Sequence, residues 1–401
     1  MKFINRLKKY WTRGISRCGL YWTRNNYLFV QALGASYGYT LLWVILFSTI
    51  ATIMFQEMAA RLGIVTGKGL GENIRERIDH PILKIVIMLI VVLAIFVGNI
   101  AYETGNLTGG AMGLSTLLPH VPLRTIALVM GLVAIVLLYS GSYKYIEKFM
   151  TALVFIMAFA FIVTMILSKP DLIAVMKGFI PSFYQVDWMS VVGLIGTTVV
   201  PYNLFLHSSS AAQRWKNKED IKDARIDTVL SIGLGGIVSM CIVIVAATNC
   251  GGLQIQSGGD LAMALQPVLG NGATVLVSIG LFAAGLTSTI TAPLATAYAT
   301  SGILGISQDM KTKKFQIIWL IVIVSGMIFL AFNHSSPTQL ILIAQGANAI
   351  ILPIMAIFLM ICMNDEKLEE YKNGKLNNIM GFIVLGVTIL ICIRNIMSMM
   401  G

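Results

Sequence analysis

The amino-acid sequence reads as an all-α integral membrane protein: two inverted five-helix repeats plus an eleventh helix, with helices 1 and 6 broken at mid-membrane. Three observations predict this: recurring apolar runs of membrane-spanning length, basic residues concentrated in alternating connections, and helix breakers inside two spans that lie five helices apart.

The apolar runs come first. Hydrophobic residues make up 57% of the 401 and charged residues only 12%, with a mean hydropathy of +0.81; a soluble domain carries roughly a quarter charged residues. A helix rising 1.5 Å per residue needs about 20 apolar residues to cross ~30 Å of hydrocarbon. Runs of that length fall at 20–37, 39–59, 83–107, 122–141, 149–168, 188–212, 227–248, 271–304, 315–333, 338–363 and 377–399. The whole chain, 1–401, is therefore expected to be one transmembrane domain. Its first repeat covers about 15–170, its second about 185–363, and the extra helix about 377–399.

The formal charge of +11 follows topology and gives no sign of a nucleic-acid partner. Basic residues gather before the first span (Lys2 to Arg17) and between the second and third (Arg61 to Lys84). They gather again between the sixth and seventh (Arg214 to Arg225), the eighth and ninth (Lys311 to Lys314) and the tenth and eleventh (Lys367 to Lys375). By the positive-inside rule these segments are cytoplasmic, which places the N-terminus inside and the C-terminus outside a multi-pass protein of the plasma (inner) membrane. MKFINRLKKYWTRG lacks an apolar stretch and a small-residue cleavage site, so it reads as a cytoplasmic tail. The five cysteines lack CxxC spacing and mostly sit in apolar runs, which indicates neither disulfides nor a zinc site.

The breakers carry the functional argument. Thr23, Arg24, Asn25 and Asn26 interrupt the first span, and Pro201, Tyr202, Asn203 and His207 interrupt the sixth. Irregular backbone survives at membrane depth only where protein buries it or a cavity adjoins it. Two broken helices in corresponding positions of inverted halves are the arrangement of a secondary transporter, with the binding site between them. Paired carboxylates, a nucleophile elbow and a phosphate-binding glycine loop are missing, so an enzyme is not expected. No cofactor is expected, and the chain is taken as a monomer in the lipid bilayer.

The strings YGYTLLWVILFS, FQEMAARLGIVTGKG, IAYETGNLTGGAMGL, VVPYNLFLHSS, GLTSTITAPLATAY and LIAQGANAIILPI resemble, in order and spacing, the helices of the Nramp family. The resemblance implies a LeuT-type fold, alternating access and, in the family's best-known members, proton-coupled uptake of manganese or iron. It also implies a metal site made by a DPGN motif in helix 1 and an MPHN motif in helix 6. Here those positions read Thr23-Arg24-Asn25-Asn26 and Val200-Pro201-Tyr202-Asn203, so threonine replaces the aspartate and valine the methionine. In this respect the chain resembles a divergent prokaryotic, bicarbonate-type branch of the family.

These exchanges remove a negative oxygen ligand and a soft sulfur ligand and introduce a permanently charged guanidinium. At ~6 Å and an effective dielectric near 20, a +1/+2 pair repels by roughly 5 kcal/mol. The same residues suit a small anion: Arg24 offers a planar fork, and Thr23, Asn25, Asn26, Tyr202 and Asn203 offer neutral donors. The expected cargo is therefore a small inorganic anion such as bicarbonate. The alternatives are a divalent cation (Mn2+ or Mg2+), or a transport-inactive sensor of the same fold. An Arg24 that snorkels to the inner surface leaves the cation alternative open.

Five further residues are candidates for coupling or gating, with H+ or Na+ as the coupling ion. Glu103 matches an acidic position on the family's proton route, and Asn106 stands where that pattern has a second acid. For Glu103 a coupling role and a structural hydrogen bond both fit. His207 fits a proton carrier or a packing residue. Gln345 and Asn348 fit pathway lining or interhelical bonding.

Overall fold

The computed structural model describes residues 27–140, 143–182, 186–253, 258–332 and 351–400. Thr23, Arg24, Asn25 and Asn26, as well as Gln345 and Asn348, lie outside the described residues, as does the predicted break in helix 1.

Among the described residues the chain is helical throughout its apolar runs. The described chain opens with α1 (Tyr27–Tyr37), α2 (Leu42–Thr66), the short α3 (Leu70–Arg77), α4 (Pro81–Leu117), α5 (Leu123–Ser140) and α6 (Tyr143–Leu167). After the short α7 (Leu172–Lys177) come α8 (Trp188–Thr198) and α9 (Pro201–Arg214), which together occupy the sixth predicted span. Next are α10 (Ile221–Asn249), the short α11 (Gly258–Met263) and α12 (Gln266–Leu269), α13 (Gly272–Leu304) and α14 (Lys313–Phe332). The chain closes with α15 (Ile351–Met363) and α16 (Lys375–Met400). Each predicted span thus has a helical counterpart, and seven are long and apolar enough to cross a bilayer on that ground alone.

One expected boundary is corrected. The third span, placed at 83–107, continues as α4 to Leu117. The polar and glycine-rich stretch TGNLTGGAMG stays helical because it is buried against α13, where tertiary packing overrides weak helix propensity.

That α4–α13 pair is the most extensive helix contact, followed by α2 with α9 and α2 with α10. Small residues allow the close approach. A Cβ on Gly285 would meet the backbone of Gly110, and a Cβ on Gly113 would lie 2.8 Å from Leu281 Cβ. Gly109, singled out by its GxxxG spacing with Gly113, faces open space; its neighbour Gly110 makes the contact. The hydropathy-selected window of Ser190–Arg214 is 89% buried and that of Pro81–Leu117 only 17%. The broken span is therefore central, while the first half of α4, with Ile82, Ile85, Leu89 and Leu93 exposed, presents a lipid-facing flank.

The two ends of the bundle are tied separately. At one end the Tyr39 hydroxyl pairs with Thr248 Oγ1 at 3.0 Å, Trp43 N–H donates to Gly178 O at 2.9 Å, and Asn249 Nδ2 donates to Ala264 O at 2.8 Å. At the other, Glu57 joins Arg61 at 3.0 Å and Arg225 at 2.7 Å. Arg61 also donates to Tyr371 O (2.7 Å), Lys372 O (3.3 Å) and Asn373 Oδ1 (2.9 Å). Sequence reading makes Glu57 and Arg61 a surface pair, but Arg61 is only 5% exposed and its network fastens α2 to α10 and to the turn before α16. Asp365, expected on a solvated acidic face, pairs with Arg77. The connections expected to be cytoplasmic at 61–77, 214–225 and 365–375 therefore share one end, as an alternating path through the bilayer requires.

Replacing Gly285 with valine forces its side chain into the Gly110 backbone and should cost about 1–3 kcal/mol through overpacking, read as a lower Tm of the detergent-solubilised protein. The same change at Gly109 should leave Tm near the wild-type value.

Candidate functional site

The sixth span parts between Thr198 and Pro201. Val199 (φ −92°, ψ 81°) and Val200 (φ −90°, ψ 119°) leave the helical region, and Pro201 occupies the first turn of α9, where its missing N–H is tolerated. The interruption leaves carbonyls at the end of α8 and amides at the start of α9 without helical partners. Several are met locally. Thr197 and Thr198 hydroxyls both donate to Leu194 O at 2.8 Å, Val199 N–H donates to Ile195 O, and Asn203 N–H donates to Val200 O. From α2, Thr52 Oγ1 reaches Thr198 O at 3.4 Å.

Around the break α4, α9 and α13 converge. Val200, Tyr202 and Leu206 form a buried cluster with Tyr102, Ala292 and Ala295. The rings of Tyr102 and Tyr202 meet edge-on with centroids 5.5 Å apart, and Glu103 follows Tyr102 directly on α4. Asn203 is only half-buried, in contrast to Tyr202 beside it.

The structure thus brings five predicted residues into one neighbourhood: Val200, Tyr202 and Asn203 on α9 or at its cap, and Glu103 and Asn106 on α4. Glu103 is fully buried, accepts from Asn106 Nδ2 at 3.2 Å through Oε2, and packs its methylenes where α14 has Gly326. Its Oε1 has no hydrogen-bond partner among the described residues. His207 does not join this group. Five residues past Tyr202, it is turned by about 140° around the helix, and its Nε2 pairs with Thr228 of α10 at 3.2 Å.

Tyr102 and Thr52 escape the sequence reading. An aromatic residue and a threonine inside apolar runs look like packing residues, and only the neighbourhood AYETGN hinted that Tyr102 has a polar task. In the hydroxyl-rich stretch Thr287–Thr291 of α13, Thr287 donates to Ala283 O and Thr291 to Thr287 O, both at 2.7 Å. No cluster of three or more His, Cys, Asp or Glu side chains that could hold a metal occurs among the described residues.

Residues 30–398 match the family described as natural resistance-associated macrophage protein-like. The chain belongs to the Nramp family. A divalent metal cation transporter, MntH, of Staphylococcus haemolyticus is 31% identical over 94% of this chain and 88% of its own length. A crystal structure of the Eremococcus coleocola manganese transporter superposes with a TM-score of 0.78 at 23% identity, covering 95% of this chain and 84% of that one. MhsT in complex with L-phenylalanine gives 0.60 at 13% identity, covering 96% and 98%. The Nramp chain is therefore an α-helical membrane transporter of LeuT-type fold, and not an enzyme.

Glu103 and Asn106 give the first test of the site's construction. Asn106→Ala leaves a buried carboxyl oxygen of Glu103 without its donor, which should lower stability by about 1–3 kcal/mol, seen as a reduced Tm in detergent.

Proposed function

We propose that this Nramp-family chain is an alternating-access transporter of a small inorganic ion and that the ion is a hard, strongly hydrated divalent metal cation. The observation that carries this is the match, along nearly the full chain, to a relative named as a divalent metal cation transporter. The site is compatible with such an ion when it keeps part of its water shell, since Mg2+ sheds water reluctantly and accepts neutral oxygen. The Asn203 carboxamide and the carbonyls freed at 198–200 supply that oxygen. Valine at position 200 withdraws the soft ligand that favours manganese or iron. The relatives lend no support to bicarbonate, the cargo expected from the sequence.

One specific observation favours an anion as the second reading: Thr23-Arg24-Asn25-Asn26 stands where the family motif has its carboxylate, and Arg24 brings a fixed positive charge. The two readings give opposite signs for one substitution. If a cation is carried, Arg24→Ala removes a repulsion worth up to roughly 5 kcal/mol at ~6 Å and raises uptake; if an anion is carried, the same change abolishes it.

The assay is uptake into proteoliposomes. Manganese or magnesium should accumulate while labelled bicarbonate stays out; bicarbonate entry without metal entry would overturn the cation reading, and entry of neither would favour a sensor. Val200→Met should shift preference from magnesium toward manganese by tenfold or more, measured by competition.

The rest of the arrangement is proposed on the same footing. Glu103, with Asn106 beside it, carries the coupling proton; His207 is a packing residue of the α9–α10 contact. Substituting Glu103 by glutamine should flatten the pH dependence of uptake while leaving the protein folded. The repeats span about 15–170 and 185–363, related as inverted halves. Support comes from the third helix of each half, α4 and α13, and the second, α2 and α10, packing on their counterparts. The end bearing Arg61, Arg77 and Arg225 faces the cytoplasm, supported by its basic character.

A further inference from the structure

The basic end of the bundle contains a cavity of about 600 Å3 whose lining includes no residue of the broken span. It lies between the end of α2, the start of α10 and the turn before α16, and its cationic lining comprises Arg61, Lys218, Lys222, Arg225 and Lys372. Glu219 and Glu370 are its acidic members. Two of the five cations are already engaged, because Arg61 and Arg225 share Glu57. The three lysines form no ion pair with a described residue, although Lys218 sits over the Tyr371 ring at 5.1 Å from its centroid. A helix start adds positive potential from below, since α10 begins at Ile221, within the lining.

The surfaces beyond the cavity are apolar. On α10, the turns that follow Lys222 and Arg225 expose Ile226, Val229, Leu230 and Leu234. On α16, beside the lining residue Asn377, Leu376, Ile379, Phe382 and Ile383 are exposed. A pocket rich in unpaired ammonium groups thus sits at the foot of two apolar, lipid-facing helix surfaces. A solvated phosphate would need only the first feature; a molecule with a phosphate head and hydrocarbon tails uses both.

We propose that this cavity is a binding site for the phosphate headgroup of an anionic phospholipid, with the acyl chains running along the exposed faces of α10 and α16. The headgroup phosphate accepts from Lys222, Lys372 and Lys218, while Arg225 stays with Glu57. Lys and Arg clustered beside a membrane-spanning helix attract anionic lipid headgroups. Because Arg61 anchors α2 to the same turn, an occupied cavity also braces this end of the bundle.

The test is native mass spectrometry and thermal melting of the full-length protein in detergent, titrated with phosphatidylglycerol, phosphatidylcholine or inorganic phosphate. Phosphatidylglycerol should be retained at least about tenfold better than phosphatidylcholine and should raise Tm. The double variant Lys222→Ala/Lys372→Ala, which alters two exposed side chains away from the broken helix, should keep its lipid-free Tm and lose that preference. Equal retention of the two lipids, or an unchanged preference in the variant, overturns the site. A Tm rise and lipid displacement by millimolar inorganic phosphate alone would overturn the lipid as occupant. These readouts involve no transport, so they stand or fall independently of the cargo.

Discussion

The structure depends on one constraint: hydrocarbon offers no partner to a backbone amide or carbonyl, so an unwound turn at membrane depth exists only where protein or a cavity receives it. The two residues between α8 and α9 meet that condition, because they lie in the most buried of the spans found among the described residues. The surrounding contacts follow as compensation. Threonine hydroxyls at 197 and 198 turn back onto the carbonyl of Leu194, Thr52 crosses from α2, and Pro201 removes one donor from the problem. The break thus holds polar backbone, relieved of its helical partners, at the centre of the bundle.

Rigidity around the break comes from the two flanking pairings. Gly110 and Gly285 bring α4 and α13 to backbone contact, and the Glu57 network fixes α2 to α10 at the basic end. Between them the Tyr102–Tyr202 pair forms a small amphipathic wall, apolar on its ring faces and polar at its hydroxyls. Glu103 stands behind that wall with one oxygen bonded and one without a hydrogen bond among the described residues.

Much of this was legible in the amino-acid sequence. Spans of 20 or so apolar residues are a coarse, robust signal, and Pro201 within such a run announced the break to the residue. The neighbourhood of Val200, Tyr202, Asn203, Glu103 and Asn106 was legible through motif resemblance. Contacts set by three-dimensional packing were not: Gly109 and Gly110 are indistinguishable in a one-dimensional pattern, Arg61 looked like a surface charge because its backbone-carbonyl partners lie some 310 residues away, and His207 shared the motif but not the helix face. The anion expectation weighed exchanges at five motif positions above kinship along the whole chain, and the named relatives support the cation alternative better.

The central claim is that the discontinuity of the sixth span holds the transported ion. Anomalous diffraction from crystals grown with Mn2+ tests it directly. The account predicts a peak within coordination distance of Asn203 and of the carbonyls between Thr198 and Val200. A peak elsewhere, or a planar anion seated against Arg24 with no metal at the break, would contradict it.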